Sequence, residues 1–159
     1  MPYSVQRTLP IPVVPAVETP NVLPVRPANL EATLIALTEQ AATRCRELEA
    51  FPDHFRLRGA EMKLFLHQYQ IPACRRILEV GCGPGLKAAL LAQLASVVVT
   101  TDLPEPIPEA GVQGLAVPRR LHRALDIKNS QFLACRGEAL PFADASFDIV
   151  LEPGVRVQQ

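Results

Sequence analysis

One segment of the chain combines a strand, a glycine-rich turn, a helix, a second strand and an acid. Residues 75–80 (RRILEV) form a short apolar run, which is typical of a buried parallel strand. The turn 81–85 (GCGPG) follows directly, and 86–94 (LKAALLAQL) consists of strong helix formers. The β-branched run 96–101 (SVVVTT) predicts the next strand, which ends at Asp102. This order predicts one βαβ unit and therefore an α/β fold with a parallel sheet.

The glycine turn and the acid together describe a site for a nucleoside. Glycines let the backbone turn sharply and approach a ligand closely, where a Cβ would collide. The helix that opens after them directs free N–H groups and a positive dipole end towards the ligand. An acid at the end of the second strand, here Asp102, can accept two hydrogen bonds from a ribose diol. We therefore expect a nucleoside site at the carboxyl end of the sheet.

The spacing of the glycines distinguishes between classes of nucleotide-binding turn. A dinucleotide fold requires G-x-G-x-x-G, and position 86 is Leu instead of the last Gly. The P-loop pattern fails as well, because Lys87 follows Leu86 and precedes Ala88. The chain has instead the pattern E-x-G-x-G-x-G, which resembles the first motif of class I S-adenosylmethionine-dependent methyltransferases. This pattern is formed by Glu79, Gly81, Gly83 and Gly85.

A second block supports the same resemblance. Residues 131–135 (QFLAC) predict a third strand and 147–151 (FDIVL) a fourth. The run 136–150 (RGEALPFADASFDIV) resembles the ALPF–SFD–apolar block of these methyltransferases, close to the group called type 11. The resemblance covers about 75–151 and implies a Rossmann-like, doubly wound parallel sheet in the order third, second, first, fourth strand. The family's full sheet is larger, so we expect a partial domain of about four strands.

The resemblance implies roles for individual residues of the first motif. Glu79 is expected near the methionine part of S-adenosylmethionine, with the backbone of the three glycines against the cofactor. Asp102 matches the acid that binds the ribose. The alternative for Glu79 is an ion pair with Arg75 or Arg76, and the alternative for Asp102 is a helix N-cap.

The adenine end of the site departs from the family pattern. Relatives often have an Asp where this chain has Arg136, so the contact to the adenine amino group is expected from Glu138 or from the backbone at Gly137. Asp148 is predicted to orient a turn before the fourth strand.

Three segments are predicted along the chain. Residues 1–28 are rich in proline, which excludes a helix or a strand ladder, and predict an extended arm or a disordered tail. Residues 29–72 predict a helical cap of two amphipathic helices, and 73–159 the partial cofactor-binding domain. The first helix is expected from Asn29, its N-cap, to about Ala50.

The remaining boundaries follow from prolines and from capping residues. The second helix is expected to start at the cap residue Asp53 and to end before Pro72. Four prolines in 103–118 predict an irregular second crossover, and 119–125 a short helix after it.

Composition excludes several classes of function. Sixteen basic and sixteen acidic residues give a net charge of zero, so a nucleic-acid or anionic-membrane surface is not expected. The longest apolar stretch, 88–99, is too short to span a membrane. Four widely spaced cysteines indicate reduced thiols in a cytoplasmic protein, and three histidines without a second ligand indicate ordinary surface or boundary residues and no metal site.

The acceptor is expected to be a small molecule. Residues 151–154 (LEPG) lack the [Asp/Asn]-Pro-Pro-aromatic tetrapeptide that grips a planar amino group in many methyltransferases of nucleic acids and glutamine. No residue is assigned as a catalytic base. Two classes of function stay open: a methyltransferase, either truncated or completed by another component, and a non-catalytic S-adenosylmethionine-binding module or partner-dependent subunit. A nicotinamide-binding Rossmann domain is a third option, which the glycine spacing disfavours. The apolar fourth strand is predicted to lie at a sheet edge, where it would favour self-association or a partner.

Overall fold

The computed structural model of the protein describes residues 22–48, 50, 52–107, 114–152 and 157–158. Most of the predicted N-terminal arm, residues 1–21, lies outside the described residues. In chain order the elements are α1 (Leu30–Thr43), α2 (Pro52–Gln68), β1 (Cys74–Val80), α3 (Leu86–Leu91), β2 (Ala95–Asp102), α4 (Ala116–Ala124), β3 (Ser130–Ala134), β4 (Ile149–Leu151) and β5 (Val157–Gln158).

The strands form one sheet in the order β3-β2-β1-β4-β5. The pairs β1–β2, β1–β4 and β2–β3 are parallel, which confirms the α/β class and the predicted order of the first four strands. The outer side of β4 is not left bare as the sequence suggested. The two residues of β5 pair with it in antiparallel register, Val150 with Gln158 and Leu151 with Val157.

Apolar residues of the central strands build a core on each face of the sheet. On one face, Ile77 and Val98 join α3, whose residues are almost all buried, and the apolar faces of α1 and α2. On the other face, Leu78 packs with Val97 and Val99 beneath two partly buried aromatic rings. The rings of Phe142 and Phe147 meet edge to face with centroids 4.9 Å apart. Because β1 and β2 are covered on both faces, their sequences read as continuous apolar runs.

The N-terminal helices differ from prediction at their ends. Asn29 is the N-cap of α1, as predicted, since its side chain accepts a hydrogen bond from the Ala32 N–H at 2.9 Å. The helix ends at Thr43 and not near Ala50, because the chain continues as turns that bury Leu48. α2 begins at Pro52, one residue before the predicted cap, since a first helical residue needs no backbone N–H.

The crossover between β2 and β3 is irregular at its start, as predicted. Residues 103–107 contain no helix, and 108–113 lie outside the described residues. α4 begins at Ala116, earlier than the predicted 119, with Pro118 in its first turn, where proline is tolerated.

Asp148 fixes the position of β4 against β1. Its Oδ2 atom accepts hydrogen bonds from the backbone N–H groups of Arg75 at 3.0 Å and Arg76 at 2.8 Å. Its own N–H donates to the Arg76 carbonyl at 2.9 Å. Asp148 therefore ties the residue before β4 to the start of β1, and its predicted role in orienting a turn stays a prediction. Within the described ranges, no helix is long and apolar enough to cross a membrane.

Candidate functional site

The glycine turn lies at the carboxyl end of β1, where the strand order of the sheet reverses. Gly81, Gly83 and Gly85 have φ values of 75°, 52° and 91°, a region that residues with a Cβ rarely adopt. The Thr101 carbonyl of β2 accepts from the N–H groups of Gly81 at 2.8 Å and Cys82 at 3.2 Å. The turn is therefore attached to both central strands. In open α/β sheets, ligands bind at such a switch point.

Asp102, the last residue of β2, lies directly against this turn. Its Oδ2 atom accepts from the Gly83 N–H at 3.2 Å and lies 3.5 Å from the Cys82 thiol, and its Oδ1 atom accepts from the Leu103 N–H at 2.8 Å. The N-cap alternative is wrong, because no helix begins in 103–107. Each carboxylate oxygen has two lone pairs, so Asp102 keeps acceptor capacity for a ligand.

Glu79 is fully buried beneath the turn. It stands opposite Thr100 in the β1–β2 register, and its Oε2 atom accepts from the Thr100 hydroxyl at 2.9 Å. Its Oε1 atom makes no hydrogen bond with the described residues, although it lies 3.3 Å from Lys87 Nζ. Burial raises the pKa of Glu79, and the nearby Lys87 charge opposes this. The ion-pair partner is thus Lys87, and the alternative with Arg75 or Arg76 is wrong.

The predicted adenine-end residues lie in the turn after β3. The Cys135 N–H donates to the Asp102 carbonyl at 3.0 Å, which brings this turn to the same edge of the sheet. A Cβ on Gly137 would lie 3.3 Å from Val80 Cγ1, so Gly137 backs onto the end of β1. Glu138 is exposed in the same turn, and no described contact joins it to Asp102 or to the glycine turn. The structure therefore brings Glu79, the three glycines and Asp102 together, and places Gly137 and Glu138 in the neighbouring turn after β3.

His122 of α4 was not foreseen as part of this region. Its side chain is buried, which corrects the expectation of an ordinary surface or boundary histidine. The ring lies under the glycine turn, with Nε2 2.8 Å from the Gly85 carbonyl oxygen and Nδ1 2.6 Å from the Ser130 hydroxyl. No local sequence signal predicts this contact, because 37 residues separate His122 from Gly85.

No group of three potential metal ligands occurs among the residues that the structure describes. All four cysteines are free. Burial raises the pKa of Cys82, the thiol within the turn, so it stays protonated and is a poor nucleophile.

The arrangement fits a nucleoside cofactor with a charged tail. A Cβ placed on Gly83 would meet no atom within 4 Å, so the turn faces open space there. Asp102 flanks this turn, and Glu79 beneath it offers a buried oxygen without a hydrogen bond. The charged neighbour of this oxygen is the Lys87 ammonium group at 3.3 Å. A separate groove of about 200 Å³ between α1 and α2 contains none of these residues.

The fold and the site define a Rossmann-like domain whose glycine turn and strand-end acid are arranged for a nucleoside cofactor. Residues 78–155, about half of the chain, match the family model of a methyltransferase domain of type 11. Such a domain implies S-adenosylmethionine as the cofactor.

Comparison with curated proteins gives no match. Among solved structures, the chain is similar to the YcgJ protein of Bacillus subtilis, with a TM-score of 0.46 and 24% identity over 57% of this chain and 36% of that one. It is also similar to phosphoethanolamine N-methyltransferase 1 of Haemonchus contortus, solved with phosphoethanolamine and S-adenosylhomocysteine. There the TM-score is 0.49 and the identity 16%, over 77% of this chain and 25% of that one. The chain spans well under half the length of both proteins.

Proposed function

We propose that the chain is an S-adenosylmethionine-dependent methyltransferase that acts on a small-molecule acceptor. The observation that carries this proposal is the juxtaposition of the glycine turn, Asp102 and the buried Glu79 at one edge of the sheet. The match to the methyltransferase domain supports it, and so does the neutral net charge, since a nucleic-acid acceptor favours a protein with an excess of positive charge. The free cysteines support a cytoplasmic location.

Each residue of the site has a proposed role towards the cofactor. Glu79 would accept a hydrogen bond from the ammonium group of the methionine part, in addition to its ion pair with Lys87. Asp102 would accept from the ribose hydroxyls, and Gly83 would let the ligand approach the backbone. The backbone at Gly137 is placed to flank the adenine, with Glu138 as the side-chain candidate in the same turn.

The main contribution of the protein to the reaction would be to align the acceptor with the cofactor. When bound, S-adenosylmethionine supplies a methyl group activated by its sulfonium charge. The protein has to hold the acceptor in line with that methyl group and exclude water. None of the site residues described above is assigned as a general base.

Calorimetric titration with S-adenosylhomocysteine tests the cofactor site. Asp102→Ala removes a charged acceptor, and we expect the affinity to fall about thirtyfold, or about 2 kcal/mol. Asp144→Ala, which removes an exposed carboxylate of another turn, serves as the matched control and should bind like the wild type. Equal binding by both variants would contradict the role of Asp102, and a wild-type chain that binds no S-adenosylhomocysteine would contradict the proposed cofactor.

A transfer assay with methyl-labelled S-adenosylmethionine tests the acceptor class. We expect label in one or more small amines, hydroxyl compounds or thiols, and none in RNA or peptide substrates. Label found only in a macromolecule would overturn the proposed acceptor class and leave the cofactor assignment intact.

A further inference from the structure

His122 links the glycine turn to the second crossover of the sheet. Its ring is 2% exposed and meets the ring of Phe132 edge to face at a centroid distance of 4.9 Å. One ring nitrogen reaches Gly85 and the other reaches Ser130 at the start of β3. A single side chain of α4 therefore connects the turn after β1 with β3.

The hydrogen-bond partners define the tautomer of this histidine. The Gly85 carbonyl can only accept, so Nε2 carries the hydrogen and donates to it. In the neutral ring Nδ1 is then an acceptor, which matches the Ser130 hydroxyl as donor. Burial lowers the pKa of His122, which favours this neutral form.

Gly85 is seated tightly on α4. A Cβ at this position would lie 2.6 Å from Pro118 Cβ and 3.4 Å from His122 Nε2. The Gly85 carbonyl also accepts from the Ala89 N–H at 3.0 Å, the first backbone bond of α3. The same carbonyl thus starts α3 and receives the histidine, so its orientation is held from two sides.

We propose that His122 is a positioning residue whose Nε2–H group holds the Gly85 carbonyl and thereby keeps the glycine turn in the shape that receives the cofactor. This inference rests on the proposed function, since it names what preorganises the same site. His122 itself lies on the buried side of the turn and acts through Gly85. A turn held in its binding shape before the ligand arrives loses less conformational entropy on binding.

A pair of amide substitutions separates the two ring nitrogens. The side-chain nitrogen of Gln can replace Nε2, whereas the side chain of Asn reaches only the position of Nδ1. In calorimetric titrations with S-adenosylhomocysteine we expect His122→Asn to bind about tenfold more weakly than the wild type, and His122→Gln to stay within about threefold. Both variants lose the aromatic contact, so a purely structural role would lower both melting temperatures and both affinities alike. Equal affinities of the two variants would overturn the proposal.

Amide hydrogen exchange provides a readout that needs no ligand. We expect His122→Phe, which keeps a ring of similar size for packing, to speed exchange in the segment 83–89 about tenfold while β2 stays protected. Unchanged exchange in 83–89 would overturn the positioning role. This test remains decisive if His122→Asn does not fold. If the wild-type chain binds no S-adenosylhomocysteine but His122→Phe still speeds exchange in 83–89, the proposed function is contradicted and the link between His122 and the turn is upheld.

Discussion

At the residue scale, Glu79 is a titratable group that the fold removes completely from water. The carboxylate is fully buried, and its Oε1 atom relies on the ammonium group of Lys87 at 3.3 Å, whose side chain is 24% exposed. Removing one member of a buried ion pair is strongly destabilising, because the other charge is left without compensation. Lys87 therefore stabilises the folded protein by making an ionised Glu79 tolerable.

The raised pKa of Glu79 gives this pair a pH dependence. When the pKa of a carboxyl is higher in the folded than in the unfolded chain, the carboxyl costs no stability at a pH where it is protonated in both. The cost appears as the pH rises above the ordinary value of 4.5, because the unfolded chain then ionises first. Lys87 reduces this cost in the wild type. Replacing Lys87 should therefore lower the free energy of unfolding most at high pH.

We predict that Lys87→Met lowers the free energy of unfolding by about 2 kcal/mol more at about pH 8 than at about pH 5. Urea denaturation at both pH values measures the difference. The double variant Glu79→Gln/Lys87→Met, which has neither charge, should show almost no such difference. A pH-independent loss in the single variant would show that Glu79 does not depend on Lys87.

At the element scale, the crossing of α1 and α2 is set by a glycine. A Cβ on Gly59 of α2 would lie 2.6 Å from Thr38 Oγ1 and 2.8 Å from Thr38 Cγ2. Thr38 is buried, and its hydroxyl is bonded to the Leu34 carbonyl at 2.7 Å, so it has little freedom to move aside. The glycine that weakens α2 as an isolated helix therefore permits the close contact with α1.

We predict that Gly59→Ala destabilises the protein by about 1–2 kcal/mol, although alanine is the better helix former. Thermal and urea denaturation measure the change. Thr38→Ala removes both clashing atoms. In a Thr38→Ala background, Gly59→Ala should therefore cost much less stability than it costs in the wild type. If the double variant loses as much stability as the two single variants together, the predicted contact between the two side chains is wrong.

At the scale of the whole molecule, β5 forms the edge of the sheet beside β4. β4 is a short apolar strand, and its residues Val150 and Leu151 pair with the backbone of β5. An unpaired strand edge is a template for another chain. β5 pairs with the side of β4 through which the sequence predicts self-association.

We predict that Val157→Pro/Gln158→Pro increases self-association relative to the wild-type chain, because proline cannot donate to the strand ladder. Size-exclusion chromatography with light scattering over a concentration series measures the mass. The double variant should form dimers or larger species at concentrations where the wild type does not. Identical behaviour of the two proteins would show that β5 does not protect this edge.

The sequence by itself determined the elements that depend on consecutive residues. β1, the glycine turn and β2 lie within one residue of their predicted bounds, because apolar runs, glycines and a terminal acid encode them locally. The parallel order of the first four strands and the meeting of Asp102 with the turn followed from the family pattern and were confirmed.

Only the tertiary structure decided the contacts between distant segments. The burial of His122 against Gly85, the end of α1 at Thr43 and the pairing of β5 with β4 have no local signal. The partner of Glu79 was also missed, since the neighbouring arginines are nearer in sequence but only the turn brings Lys87 back over the carboxylate. The physical reason is the same in each case. These contacts depend on how packed elements meet in space, which the order of residues along one segment does not contain.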